Sequence, residues 1–198
     1  MTSTLTDEIA SAAARLVVEE GMEYGPAKRR AARLLGRRTT RSAALPGNDV
    51  VEDAVRTHLA LFCADTQPGE LAALRAVAMI WMDRLEPFRP HLTGAVWRGT
   101  ATRLNVVHLE LYCDDAKATE IALIDSHVAY EVASREGPRG EPVDVLVLTH
   151  PSAELGEAVT VHLSVLDHDD VRGALKPDTR GRTWRGDAVA LRKLMESV

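Results

Sequence analysis

The pattern of apolar residues changes its period once along this chain of 198 residues, at His91. Before His91, apolar residues recur every three or four positions, which is typical of amphipathic helices. After His91 come five short strings rich in apolar and β-branched residues, which are typical of strands. Because the helices come first and the strands follow, the sequence predicts an α+β fold.

Four helices are predicted before the change, and each is bounded by a cap or turn signal. Thr6 is the predicted first N-cap and Gly21 the first stop. The helices cover residues 6–20, 26–36, 48–65 and 69–86, and the expected buried residues of the middle two include Leu34, Leu35 and Phe62. Gln67-Pro68-Gly69 interrupts the chain, so we expect an N-terminal helical region over 1–68 and an α+β domain over 69–198.

The domain after residue 69 should contain a mixed sheet of about five strands. The predicted strands are 92–97, 106–113, 128–134, 143–150 and 159–166. Gly137–Glu141 has the composition of a hairpin loop. A helix over about 115–126, capped by Asp114 or Asp115, should turn Ile121, Ala122 and Ile124 inward, and a last helix is predicted over 187–197.

Composition and charge narrow the classes of function. No apolar run approaches the roughly 18 residues of a membrane span, and the polar start of the chain does not resemble a signal peptide. We therefore expect a cytoplasmic protein without membrane contact, and free thiols at Cys63 and Cys113. The net charge of −5 does not favour general nucleic-acid binding.

Basic residues are nevertheless clustered. Between Ala27 and Ala44 there is no acid, and the basic residues are Lys28, Arg29, Arg30, Arg33, Arg37, Arg38 and Arg41. A second basic stretch runs from Arg172 to Lys193. Each stretch either holds phosphate groups or forms a solvated surface, and the sequence leaves both interpretations open.

The segment from Leu92 to Cys113 resembles the signature of the minimal, polymerase-beta-type nucleotidyltransferases. That signature reads roughly Gly-Ser-x-Ala-Arg-Gly-Thr-Ala, followed by two acids one residue apart. Gly94, Arg98, Gly99, Thr100 and Ala101 match it in register. The resemblance covers about residues 70–166 and implies a nucleotidyltransferase-like sheet domain, in which the glycine turn approaches phosphate. The whole chain is also similar to an uncharacterised bacterial protein family.

The sequence differs from this signature at the two acidic positions on which the chemistry of the family depends. The family's two acids, which hold the magnesium ions, fall on Val106 and His108. Magnesium requires hard oxygen ligands, which neither side chain supplies. The active site is therefore degenerate, and a tight turn is an alternative explanation of Gly94 and Gly99.

A different set of residues could replace the missing acids. Side chains alternate along a strand, so His108, Glu110 and Tyr112 should share one face. Thr160, His162 and Ser164 form the polar side of the last strand, and Asp144 lies opposite the valines of its own strand. If these faces converge, His108, Glu110 and Asp144 are candidate catalytic residues. Glu110, His108 and His162 are then candidate ligands for zinc or manganese.

Three hypotheses about function follow. The first is a degenerate relative that binds a nucleotide or other phosphate-bearing ligand through Gly94, Arg98, Gly99 and Thr100, with Lys176 and Arg180 as counter-charges. The second is an atypical nucleotidyltransferase that uses Glu110 and His108, with Mg²⁺ or Mn²⁺. The third is a regulatory or interaction protein, because Ile9 to Leu35 resembles the opening helices of TetR-type regulators.

Overall fold

The computed structural model describes residues 4–36, 45–137, 139–171, 176–178 and 181–196. Within these ranges it contains seven α-helices and a six-stranded mixed sheet, which confirms the predicted α+β class. No helix in the described ranges is long and apolar enough to cross a membrane. The chain forms two compact units: a helical unit of Met1–Gly69 with Thr100–Leu104, and a sheet unit of Glu70–Gly99 with Asn105–Val198.

Three helices build the helical unit: α1 (Leu5–Glu20), α2 (Tyr24–Leu34) and α3 (Asn48–Phe62). Their shared core is rich in alanine and valine, because only 4% of the chain is aromatic. Small side chains let helices pack closely against each other, so the core needs no large aromatic rings to fill the space between them. The central alanines of this core are Ala10, Ala13, Ala14, Ala27, Ala31 and Ala32.

The caps of α1 explain where this helix begins and ends. Thr4, and not the predicted Thr6, is the N-cap, and it forms a capping box in which Asp7 N donates to Thr4 Oγ1 at 3.3 Å. Thr4 N in turn donates to Asp7 Oδ2 at 3.1 Å. Gly21, at φ 65°, ends the helix as predicted.

Some apolar residues that we expected in the core lie on the surface. Leu34 is 66% exposed and Phe62 is 73% exposed, while Leu35 is 41% exposed. Each lies at the C-terminal end of its helix, where the packed stripe stops before the helix does. The 3.6-residue pattern therefore predicted the helices correctly but extended their buried faces by one turn too many.

The sheet unit begins within α4 (Gln67–Arg84) and contains every strand. Its helices are α5 (Gly94–Arg98), α6 (Ala116–Asp125) and α7 (Ala188–Glu196), and its strands are β1 (His91–Thr93), β2 (Val107–Tyr112), β3 (Glu131–Glu136), β4 (Pro142–Ser152), β5 (Glu157–Leu166) and β6 (Arg185–Gly186). The strand order is β3-β4-β5-β2-β1-β6. Short 3₁₀ turns cover Glu86–Phe88 and His168–Val171.

Neighbouring strands are antiparallel except for one pair. β3 and β4 form the predicted hairpin, with Glu136 opposite Pro142. β2 and β5 are parallel, with Val107 opposite Val161 and Tyr112 opposite Leu166. A parallel pair requires a long crossover, which here consists of α6 and the β3–β4 hairpin. This pairing places His108 and Glu110 of β2 beside the polar residues of β5.

The predicted strand over 92–97 is wrong beyond Thr93. β1 ends at Thr93, and Gly94 to Arg98 form α5. Gly94 adopts φ +74°, a left-handed conformation that redirects the chain and that few other residues tolerate. The strand-like Val96 and Trp97 therefore belong to a helical turn, in which Val96 is fully buried and Trp97 Nε1 donates to Thr183 O at 2.9 Å.

The inward face of α6 also differs from the prediction. Asp115 caps the helix by accepting a hydrogen bond from Lys117 N at 2.9 Å. The buried residues are Thr119 and Leu123, whereas Ile121 and Ile124 are 54% and 57% exposed. The apolar residues of α6 lie on two different faces of the helix. The buried face is the one that contains Thr119, which contacts Cys113.

Candidate functional site

The register of the sheet brings a group of polar side chains onto one face. Residues directly opposite each other on paired strands point to the same side of a sheet. The pairs His108–His162, Glu110–Ser164, His91–Glu110 and Thr93–Arg185 therefore align. We call the following set the polar face: His91, His108, Glu110, Tyr112, Arg135, His162, Ser164 and Arg185. The alternation along β2 that the sequence predicted is confirmed.

The opposite side of the sheet is apolar at its centre, and α4 contacts this side at His150. Leu109 of β2 and Leu163 of β5 lie on this side, and both are fully buried. The ring of Trp81 on α4 meets the ring of His150 edge-on, with centroids 6.0 Å apart. Because Leu109 and Leu163 are buried on this side, the alternate side chains of β2 and β5 point to the polar face.

Glu110 is the centre of a hydrogen-bonded network. Its carboxylate is buried, and Oε2 accepts hydrogen bonds from Tyr112 Oη at 2.8 Å and from Arg185 Nη1. Its second oxygen, Oε1, lies 3.5 Å from Arg135 Nη2. Both oxygens of Glu110 therefore already contact cationic or hydroxyl donors, which is how proteins keep a buried carboxylate charged.

Tyr112 is tied to the same carboxylate. Burial, followed by the negative charge of Glu110 and the hydrogen bond donated to it, raises the pKa of the Tyr112 phenol well above its ordinary value. Arg185 Nη1 also donates to Tyr112 Oη at 2.8 Å and partly offsets this rise. The ring of His91 packs edge-on against Tyr112 with centroids 5.3 Å apart. The phenol is therefore a neutral, fixed donor.

The polar face contains more donors than acceptors. Arg135 reaches it from the edge strand β3, and its Nε donates to Ser164 Oγ at 3.0 Å. Arg185 reaches it from the two-residue strand β6. Among the described residues no acceptor pairs with the buried Nε of Arg185. Two guanidinium groups thus share one carboxylate, and a donor is left over.

The two histidines of the polar face meet beside the start of α5. The rings of His108 and His162 are edge to face, with centroids 5.1 Å apart and an interplanar angle of 84°. Gly94 lies beside His108, because a Cβ at this position would be 3.4 Å from Cδ2 of His108. Both imidazoles are half-buried and can donate or accept hydrogen bonds according to their protonation.

The other residues of the predicted phosphate turn lie at different places. Gly99 is the C-cap of α5 at φ +77°, and a Cβ there would be 3.4 Å from Nη2 of Arg75. Arg98 lies over the ring of Trp184, with Cζ 5.6 Å from the centroid. Thr100 belongs to the helical unit, where its hydroxyl is buried and pairs with no described residue. Gly94 and Gly99 therefore mark opposite ends of a helix, and only Gly94 borders the polar face.

The left-handed backbone of Gly99 explains this glycine without any ligand, and Arg75 packs beside it. This arginine of α4 is buried and donates to Val96 O at 3.3 Å and to Trp97 O at 3.5 Å. It satisfies carbonyl groups in the last turn of α5, where a positive charge also favours the helix dipole. Burial lowers the pKa of Arg75 from its ordinary value.

Some of the predicted basic residues can be located in the structure. Lys176 is exposed, and Arg180 lies outside the described residues. In the 28–41 cluster, Lys28 Nζ donates to Pro46 O at 3.1 Å and to Asn48 Oδ1 at 2.8 Å, and Arg30 pairs with Glu20. These two bases support the helical unit. Arg37, Arg38 and Arg41 of the same cluster lie outside the described residues.

Asp144 does not join the histidines and Glu110. Val145 of β4 is opposite Ser164, so its neighbour Asp144 points to the other side of the sheet, where it is exposed. Within the described ranges no three His, Cys, Asp or Glu side chains come together in a way that could hold a metal ion. The residues predicted as metal ligands, His108, His162 and Glu110, share a face but form no such group.

Sequence reasoning missed the two arginines that complete the polar face. Arg135 follows the predicted end of its strand at 134, and the real strand continues to Glu136. Arg185 lies in a strand of two residues, which is too short to show any periodicity. The alternation of β3 could have placed Arg135, whereas no local signal points to Arg185.

Comparison with known proteins does not assign this site. No known protein family matches the sequence of the chain, and no curated protein matches it either.

Proposed function

We propose that the polar face binds a nucleotide or another phosphate-bearing ligand without the two-metal catalysis of ordinary nucleotidyltransferases. The observation that carries this proposal is the surplus of guanidinium donors around Glu110. Arg135 and Arg185 share the single carboxylate of Glu110, so the three side chains retain one positive charge. Phosphate oxygens accept the hydrogen bonds that guanidinium groups donate, and they supply the negative charge.

The paired imidazoles support an anionic ligand near Gly94. The rings of His108 and His162 meet on the half-buried polar face, with His108 beside the first turn of α5. A protonated imidazole attracts the negative charge of a phosphate. The absence of a side chain at Gly94 leaves space against the His108 ring.

The state of Glu110 supports binding without two-metal catalysis. Two magnesium ions would require several carboxylate oxygens with free lone pairs. The carboxylate of Glu110 accepts from Tyr112 and Arg185 and lies beside Arg135. A metal ion would have to displace these donors from a buried carboxylate, which is costly.

Thermal unfolding with nucleoside triphosphates, with inorganic pyrophosphate, and with Mg²⁺ or a chelator tests the proposal. A ligand at 100 times its dissociation constant stabilises the folded state by about 2.7 kcal/mol. For a chain of this size we expect the melting temperature to rise by roughly 5–10 °C. The rise should be the same with Mg²⁺ and with the chelator.

Matched histidine variants locate the ligand. His108→Ala and His162→Ala should each reduce the shift, whereas His150→Ala, on the apolar side of the same sheet, should retain it. A shift that requires Mg²⁺ and is lost in Glu110→Gln would replace this proposal with an atypical transferase. No shift at millimolar concentrations of any of these compounds would refute phosphate binding and favour an interaction protein.

A further inference from the structure

A cavity lies in the sheet unit beside the start of β1. Its volume is about 480 Å³, which is within the range of cavities that hold small molecules. The end of α4, the 3₁₀ turn after it, the start of β1 and the start of α7 supply its walls. Among the described residues that line it, His91 is the only member of the polar face, so the cavity is separate from His108 and His162.

The floor of the cavity is apolar, and its rim is charged. Met82 and Pro90 are buried and form the floor. The charged residues of the lining, apart from the imidazole, are exposed: Asp83, Glu86, Arg89, Asp187 and Arg192. In small-molecule sites an apolar surface holds the body of the ligand, and a few polar groups fix its orientation.

His91 is the buried polar group of this cavity, with an exposed fraction of 7%. Its Nδ1 lies 2.9 Å from Arg89 O. Because a carbonyl oxygen can only accept, Nδ1 carries the proton and donates to it. In the neutral ring Nε2 is then an acceptor, and no described residue donates to it. A ligand that reaches this nitrogen should therefore bring a donor.

Two carboxylates of the lining can accept further hydrogen bonds. The side chain of Glu86 forms no ion pair or hydrogen bond with a described residue. Asp187 accepts from Ala190 N at 2.8 Å through Oδ1, which leaves Oδ2 for a ligand. Ionised carboxylates only accept, so a ligand that contacts these two side chains must again supply donors.

The two guanidinium groups of the lining already have partners. Arg192 Nη2 lies 2.5 Å from Asp83 Oδ1. Arg89 Nη1 contacts Nε2 of His168. The lining thus sets three carboxylates against two guanidinium groups, and the charge that is left over is negative. A cleft of this kind attracts cations.

We propose that this cavity binds a primary amine in its ammonium form, with the apolar body of the amine on the floor. An ammonium group has three donors and no acceptor. The lining offers a matching set of three acceptors, which are Glu86, Oδ2 of Asp187 and Nε2 of His91. Phosphate requires donors instead, so this inference is independent of the ligand proposed for the polar face.

Three compounds with the same body test the ligand class. Phenethylamine should bind to the wild-type protein in a calorimetric titration. Phenethyl alcohol lacks the charge, and phenethyltrimethylammonium keeps the charge but has no N–H donor. Each of these two should bind about tenfold more weakly, because hydrogen bonds from a charged donor are lost. Equal binding of the amine and either analogue would overturn the proposal, and so would no binding of phenethylamine or hexylamine at millimolar concentration.

Charge reversal on the rim locates the ammonium group. Glu86→Lys places a second positive charge beside the amine and should weaken phenethylamine binding by about tenfold. Glu86 is exposed, so the variant should fold like the wild type. Glu136→Lys is the matched control, because this exposed carboxylate of the same unit does not line the cavity, and it should keep the wild-type affinity.

His91→Asn tests the buried acceptor. The asparagine amide can donate to Arg89 O as Nδ1 does, but it has no nitrogen at the position of Nε2. Binding of phenethylamine should weaken by about tenfold. His91 also packs against Tyr112, so thermal unfolding checks that this variant is folded, and Glu86→Lys decides the matter if it is not. Folded protein of either variant that binds the amine as tightly as wild type would overturn the proposal.

Discussion

Arg185 on β6 and Glu110 on β2 form an ion pair across the intervening strand β1. Arg185 lies opposite Thr93, while Glu110 lies opposite His91, so the pair runs diagonally over the polar face. The guanidinium also donates to Tyr112 Oη at 2.8 Å. One side chain therefore attaches the C-terminal part of the sheet unit to the strand at its centre.

Neutralising Glu110 should destabilise the sheet unit strongly. Glu110→Gln removes the counter-charge of the half-buried Arg185 and the charged acceptor of Tyr112, and such a loss costs roughly 1–3 kcal/mol. Urea denaturation measures the free energy of unfolding. The matched control is Glu136→Gln, an exposed carboxylate on the same sheet, which should change stability by less than about 0.5 kcal/mol. A change below about 1 kcal/mol in Glu110→Gln would contradict the network.

Tyr112→Phe should change both the stability and its dependence on alkaline pH. The phenol's pKa is raised in the folded state by burial and by Glu110. Its contribution is fully present below the unfolded pKa of about 10 and is lost as pH rises towards the folded value. The free energy of unfolding of the wild type should therefore fall more steeply above pH 10 than that of Tyr112→Phe.

At neutral pH the same variant loses a hydrogen bond to a charged acceptor. We expect Tyr112→Phe to be less stable than wild type by about 1–3 kcal/mol at pH 7. Chemical denaturation at a series of pH values gives both quantities. Parallel curves for the two proteins above pH 10 would show that Tyr112 does not titrate as described.

Gly94→Ala should strain the start of α5 and place a methyl group in contact with the ring of His108. A side chain at φ +74° is disfavoured by about 1–2 kcal/mol, and its Cβ would be 3.4 Å from His108 Cδ2. We expect lower stability and weaker ligand-induced stabilisation. Gly69→Ala is the control, because this helical glycine has no heavy atom within 4 Å of a Cβ. It should be neutral or stabilising by up to about 1 kcal/mol.

Cys113 should react slowly with alkylating agents. Burial, and then the carboxylates of Asp115 and Asp114, raise the pKa of the Cys113 thiol, although a hydrogen bond with Thr119 opposes the rise. In a Cys63→Ser background, the rate of alkylation against pH should have its midpoint above that of the urea-unfolded chain. Asp114→Asn removes one of the raising charges, so it should move the midpoint down. A midpoint equal in folded and unfolded protein would argue against burial.

The fold class and the residues of the polar face on β2 could be predicted because each depends on a local period. Side chains alternate along a strand with a period of two residues. This period alone predicted that His108, Glu110 and Tyr112 lie on the same side of the sheet. The same rule placed Asp144 opposite its valines, but it could not tell which side of β4 lies beside the polar side of β5. The pairing of Val145 with Ser164 decided this and separated Asp144 from the histidines.

What could not be predicted depends on contacts between distant parts of the chain. Arg185 is three residues before α7 in sequence and reaches Glu110 only through the pairing of β6 with β1. The inward face of α6 was mistaken because Ile121 and Ile124 are more apolar than Thr119. Thr119 nevertheless contacts Cys113 and is completely buried. In both cases tertiary packing outweighed the local pattern.

The parallel pairing of β2 with β5 has a consequence for the order in which the protein folds. In the part of the sheet that the structure describes, the β3–β4 and β4–β5 pairs are joined by short loops, whereas His108 and His162 are roughly fifty residues apart in the chain. Closing so long a segment lowers the conformational entropy of the chain before favourable contacts between the strands form, and this slows folding. The meander β3–β4–β5 can therefore form early, while the polar face exists only after the last and slowest docking of β2. Ligand binding should consequently report complete folding, and partly folded chains should contain the meander of three strands but no site.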